Sequence, residues 1–150
     1  MGKNKLQQAL LDIVMAKTGG DWAKYQIPAP VFTAMRGELV SYDIDKLMVC
    51  CRFPVLSEQL NSYGKMQGGI ISAAIDNVVG TLSMLVGPPS VTRTAEVKYI
   101  NEIDANLDFV YVTATFSGQK KNFLYFDAKV GSQDGSIVYS KSKFTNWIFA

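Results

Sequence analysis

The stretch "NSYGKMQGGIISAAIDNVVG", residues 61–80, decides how the rest of the chain is read. It sets two glycines, Gly68 and Gly69, directly before a long apolar run and leaves one carboxylate, Asp76, inside that run. From residue 70 to 86, Ile70, Ile71, Ile75, Val78, Val79, Leu82, Leu85 and Val86 occur with no other charge. Apolar groups fall on every side of the helical wheel, the pattern of a helix wrapped by protein rather than lying on a surface. A buried carboxylate is costly unless something pairs with it, so Asp76 requires a role.

On the N-terminal side, residues 4–17 carry Leu6, Leu10, Ile13 and Val14 at helical spacing, and Gly19 and Gly20 stop a peripheral amphipathic helix. "IPAP" at 27–30 reads as a proline-punctuated connection, so residues 1–30 form a helix and linker. "GELVSYDI" and "DKLMVCCRF" read as two strands turning near Asp45 and Lys46. After a loop over 54–67 comes the apolar helix, ended by "GPP" at 87–89, where the prolines forbid continuation. "VTRTAEVKYI", "LDFVYVTATF", "NFLYFDAKV" and "SIVYSKSKFTNWI" then alternate as strands, with Ala95, Val97 and Tyr99 inward and Glu96 and Lys98 outward. One antiparallel sheet around a central helix satisfies this order, an α+β arrangement in a single domain over 1–150.

Composition narrows the chemistry. Charged residues make up 19% of the chain and the formal charge is +2, too small for a nucleic-acid surface. The apolar run is broken by Ser72, Asp76, Asn77 and Ser83 short of the ~18 residues a membrane span needs, and no secretory segment is read at the start, so a cytoplasmic protein is expected. Cys50 and Cys51 are adjacent in a strand and point to opposite faces, which suits neither a disulfide nor a metal cluster. Histidine is absent altogether. Nucleophile systems based on imidazole and HExxH zinc sites are thereby excluded, and a hydrolase built on this chain needs a carboxylate as its base.

The helix start has its own chemistry. The first N–H groups of a helix lack intrahelical partners and carry the positive end of its dipole, so Gly68 and Gly69 offer donors to a developing oxyanion. Asp76 lies ~12 Å along the axis from Gly68, too far to serve a carbonyl held at its own glycines. The carboxylate for each such hole is therefore expected from a second chain whose helix runs antiparallel. Ser72, Asp76, Gly80 and Ser83 share a small, polar face where that helix or a substrate would approach.

The combination "N-x-x-G-x-M-Q-G-G", "I-x-x-A-x-x-D-N" and "T-x-x-x-x-x-x-Y" resembles the hotdog-fold acyl-CoA thioesterases of the PaaI type, over about residues 46–147. The resemblance implies a hotdog fold, here with an extra N-terminal helix, and hydrolysis of an acyl-CoA to free acid and coenzyme A. It also implies a homodimer or dimer of dimers with no membrane or nucleic-acid partner. No cofactor is expected, coenzyme A being part of the substrate, and no metal. By spacing, the family's site falls on Asn61, Gly68, Asp76 and Thr92, with Asp76 as general base or as a nucleophile forming an anhydride. Thr92 would orient the carboxylate or the water, and Asn61 would offer its amide. Gln67 stands where the family usually carries histidine, and an amide both donates and accepts hydrogen bonds. Gln67 and Gly69 would border the substrate, and Arg93, Lys120 and Lys121 would meet the phosphates of coenzyme A. The competing reading is a hotdog module that binds acyl-CoA or an acyl carrier without catalysis.

Overall fold

The structure, a computed structural model, describes residues 3–18 and 24–149. Its elements are α1 (Lys3–Thr18), α2 (Pro30–Ala34), β1 (Glu38–Asp43), β2 (Met48–Pro54), α3 (Gly68–Val86), β3 (Ser90–Tyr99), β4 (Phe109–Lys120), β5 (Phe123–Gly131) and β6 (Val138–Ile148). The six strands form one antiparallel sheet in the order β1-β2-β4-β5-β6-β3, with α3 laid across it and packed on β4, β2, β5 and β3. This is the hotdog fold expected from the sequence, with α1 as the additional helix. The glycine stop expected at Gly19 and Gly20 lies outside the described residues. Two short elements had no counterpart in the sequence reading: α2, started by Pro30, and a 3-10 turn at Ser57–Gln59 within the 54–67 loop.

The core forms where α3 meets the sheet. Ile75, Val78, Val79, Leu82 and Leu85 lose all solvent contact, against Val49, Phe53, Val110, Val112, Leu124 and Phe126 from the strands. By length and composition α3 would serve to cross a membrane, despite the interruptions at Ser72, Asp76, Asn77 and Ser83; instead this face packs on the sheet. At its C-terminal end the Gly87 N–H donates to Ser83 O at 3.2 Å and Lys17 Nζ donates to Leu85 O at 2.6 Å, which ties α1 to the end of α3.

Three expectations are corrected. First, α3 is not wrapped on every side: Gly69 and Asp76 are exposed, with Ser72 half-buried between them and Gly80 half-buried one turn beyond. Second, Ser83 does not share that open face; it is buried and its hydroxyl donates to Gly80 O at 2.7 Å. Third, Ala95 and Tyr99 do not point into a dry interior. β3 is the sheet edge, exposed over nearly its whole length, with Val91 and Tyr99 both 53% accessible. The first and third share a physical reason. One long helix covers the middle of a six-stranded sheet, and its flank toward β3, together with β3 itself, has no cover among the described residues.

The opposite face of the sheet is polar. Lys98, Lys141 and Lys129 stand side by side on β3, β6 and β5, and none forms an ion pair among the described residues. In the next outward row Lys143 lies between Glu96 and Asp127.

Candidate active site

α3 begins on a pinned loop. Gln67 is its N-cap, extended at φ −66° and ψ 140°, and its carbonyl accepts from Ile70 N at 3.0 Å and Ile71 N at 3.1 Å. The Gln67 N–H donates to Gln59 O and the Met66 N–H to Ile103 O, each at 3.0 Å, while Lys65 Nζ reaches Asp104 Oδ2 at 3.1 Å. The hydrogen bond from Lys65 holds the Asp104 carboxyl below its usual range. The Gln67 side chain is exposed and caps nothing.

The N–H groups of Gly68 and Gly69 have no partner among the described residues, as the geometry of a helix start requires. A Cβ at Gly68 would lie 3.3 Å from Cζ of Tyr99, a tight contact that the ring would have to shift by a few tenths of an ångström to accept. The Tyr99 hydroxyl donates to Gly68 O at 3.1 Å and lies 2.6 Å from Ser72 Oγ. Tyr99 thus fastens the edge strand to the first turn of α3. The sequence motif contained this tyrosine, but its spacing alone gave it no role.

Asp76 is exposed, not buried as the apolar run suggested, and Thr92 Oγ1 donates to its Oδ1 at 2.5 Å. Thr92 lies on β3 directly before an irregularity in its pairing with β6, between Thr92 and Thr94. The chain therefore brings Asp76 and Thr92 together, and it holds them ~12 Å along the helix from the free N–H groups of Gly68 and Gly69. Beside Thr92 in the ladder stands Asn146, buried, with Nδ2 donating to Ser90 Oγ at 3.3 Å and Oδ1 unpartnered.

The remaining candidates divide. Asn61 sits in the loop preceding α3, where its Oδ1 accepts from Tyr63 N at 2.9 Å and Lys65 N at 3.1 Å around a turn with Gly64 at φ +75°. Its carbonyl is used structurally, which leaves its amide N–H as the donor. Arg93 is exposed, with its guanidinium over the Trp147 ring at 5.1 Å. Lys120 and Lys121 are exposed at the β4–β5 turn. In the ladder they share the end of the sheet with Phe123, Trp147 and Val91, away from the Tyr99 end that meets Gly68. The chain does not bring these lysines to its own helix start.

The sequence reading missed a cavity of 640 Å³ between α3 and the N-terminal elements. Along α3 it is bordered by Ala73, Asp76, Asn77, Gly80, Thr81 and Met84, and α1, α2, Leu39 of β1 and Cys51 of β2 supply its other walls. The heptad-like apolar spacing of α1 was legible, but which helix face it would cover was not. Burial pushes the Cys51 thiol up to about 12, so it is an apolar wall rather than a nucleophile.

No protein-family model matches the sequence, and no curated protein matches it. Solved structures do. The E. coli PaaI protein, from the phenylacetic acid degradation operon, superimposes with a TM-score of 0.74 at 15% identity, covering 97% of this chain and 96% of that one. A Streptococcus mutans protein bound to acetyl CoA gives 0.72 at 22%, covering 85% and 98%. A hypothetical thioesterase from Streptococcus pneumoniae, solved with coenzyme A, gives 0.70 at 21%, covering 79% and 91%. At such identities the likeness is one of fold.

Proposed function

We propose that this protein is a PaaI-like thioesterase that hydrolyses acyl-CoA to free acid and coenzyme A, working as a homodimer with sites shared between protomers. The observation that carries the reading is the Thr92–Asp76 pair on the open flank of α3, out of reach of the unpartnered N–H groups at the start of the same helix. In the fold neighbours that hold coenzyme A or acetyl CoA, the ligand supports the same substrate class here.

Pairing the two β3 edges about a twofold axis sets the α3 helices antiparallel, and an exposed edge strand of ten residues is a ready template for such pairing. Ser72 lies midway in sequence between Gly68 and Asp76. A twofold passing beside it therefore opposes each Asp76 to the partner's Gly68. The thioester carbonyl rests against the partner's Gly68 and Gly69 N–H groups. Asp76, steadied by Thr92, takes a proton from water as the water oxygen attacks the carbonyl carbon. The oxyanion collapses, the C–S bond breaks, and the thiolate of coenzyme A leaves with the proton to follow. The Asn61 amide and Gln67 border the thioester, and the reaction uses coenzyme A only as part of the substrate, with no metal or further cofactor. A compact local closure of charge is achieved without imidazole, consistent with a chain that has no histidine.

The direct test is thiol release from a panel of acetyl-, octanoyl-, palmitoyl-, benzoyl- and phenylacetyl-CoA. Turnover of at least one is expected; complete inactivity across the panel leaves the non-catalytic binding module as the better reading, with the exposed Gln67 side chain in place of an imidazole as its reason. Sedimentation at micromolar concentration is expected to show a dimer or larger species and no sizeable monomer. A monomer with full turnover would overturn the shared site.

A further inference from the structure

We infer that the cavity beneath α1 receives the acyl group, and that its length along α3 suits aliphatic chains of about eight to ten carbons. The inference rests on the thioesterase reading above. Asp76 lies on the cavity wall, and from there the cavity follows α3 past Gly80 and Thr81 to Met84. Between Asp76 and Met84 the helix advances ~12 Å. An extended saturated chain gains about 3.5 Å for every three bonds, so about ten bonds span that length. The volume, 640 Å³, is that of an ordinary ligand pocket.

The chemistry of the walls favours a plain hydrocarbon. Asn77 Nδ2 donates to Ala73 O at 2.8 Å and Thr81 Oγ1 donates to Asn77 O at 3.0 Å, so both polar groups of α3 in the cavity have their donors engaged along the helix. Opposite α3 the apolar walls are Leu10, Leu11, Val14, Ile27 and Phe32. Gln7 and Gln8 bring amides to the α1 side, but apolar side chains outnumber polar ones around the cavity, so a methylene chain meets hydrocarbon along most of its length. Gly80 leaves the path open, since a Cβ added to it meets nothing within 4 Å.

The experiment compares acetyl-, butanoyl-, octanoyl-, decanoyl- and palmitoyl-CoA on the full chain, its Gly80→Leu variant and its Met84→Ala variant. Leucine is a better helix former than glycine, so Gly80→Leu is expected to fold, which melting and sedimentation check. For the unaltered protein kcat/KM rises with chain length, by at most about fourfold per methylene, to an optimum near ten carbons and falls for palmitoyl. Gly80→Leu lowers the decanoyl-to-acetyl ratio at least ~30-fold, and Met84→Ala moves the optimum to longer chains. A folded Gly80→Leu protein with an unchanged ratio, or an unaltered protein that prefers acetyl, overturns the proposal. Calorimetric binding of S-ethyl- and S-decyl-CoA thioethers separates this from the catalytic reading. A ~100-fold preference for decyl that Gly80→Leu removes supports the cavity even without turnover, whereas equal affinities reject it even with turnover.

Discussion

Asp76→Asn is expected to lower turnover at least ~100-fold while leaving the fold intact. The side chain is exposed within the chain and its hydrogen-bond partner among the described residues is the Thr92 hydroxyl, at 2.5 Å. Asparagine presents a carbonyl oxygen of nearly the same shape, so Thr92 keeps an acceptor and no cavity opens. What disappears is the negative charge and the basic lone pair that takes a proton from water. Melting temperature should therefore hold or rise, since residues kept for chemistry are often not those best for stability. Thiol release from the best substrate of the panel, with melting as control, measures the effect. Turnover within a few-fold of the unaltered enzyme would remove Asp76 from the role of base.

A larger contrast is expected from two inactive proteins mixed together. Gly68→Pro removes one of the two free N–H groups at the helix start. Proline is well placed at the first helical position, and Gln67 before it is already extended, as a residue preceding proline must be. The added Cβ would lie 3.3 Å from Tyr99 Cζ, so the ring has to give by a few tenths of an ångström. If each site takes Asp76 from one protomer and Gly68 from the other, the heterodimer of Asp76→Asn with Gly68→Pro carries one site with both defects and one with neither. Dissociation and remixing should then recover up to about half of normal activity per heterodimer, from parents with almost none. A site contained in one chain recovers nothing. Heterodimers confirmed by mass, with folded Gly68→Pro and no recovery, would reject the shared site.

The elements were legible in the sequence because each carries its own period. The apolar run from Ile70 to Val86, the strand alternation after Pro89 and the helical spacing of Leu6, Leu10, Ile13 and Val14 needed no long-range information. The exposure of Asp76 and of β3 was not legible in that way. A helix face built from Gly69, Ser72 and Asp76 has the same composition whether sheet or a second chain covers it, and periodicity cannot tell the two apart. Ser83, seven residues beyond Asp76, stays in the same stripe of the wheel yet is buried, because cover changes along the helix and periodicity does not report it. The Thr92–Asp76 contact was anticipated only through the resemblance, since strand and helix meet there sixteen residues apart. The Trp147 ring under the Arg93 guanidinium is likewise a neighbour that local sequence does not announce. The cavity joins residues from α1 to α3 and depends on tertiary packing throughout.

The row formed by Lys98, Lys141 and Lys129 bears on how finished molecules meet one another in solution. Neighbouring strands lie about 4.8 Å apart, well inside the ~8 Å screening length of physiological salt, so the three ammonium groups act as one concentrated positive strip. The neighbouring row of Glu96, Lys143 and Asp127 carries both signs. Positive charge laid over the lysine strip is repelled and negative charge is drawn to it, so the strip restricts the registers in which a second surface of this kind could lie against the sheet.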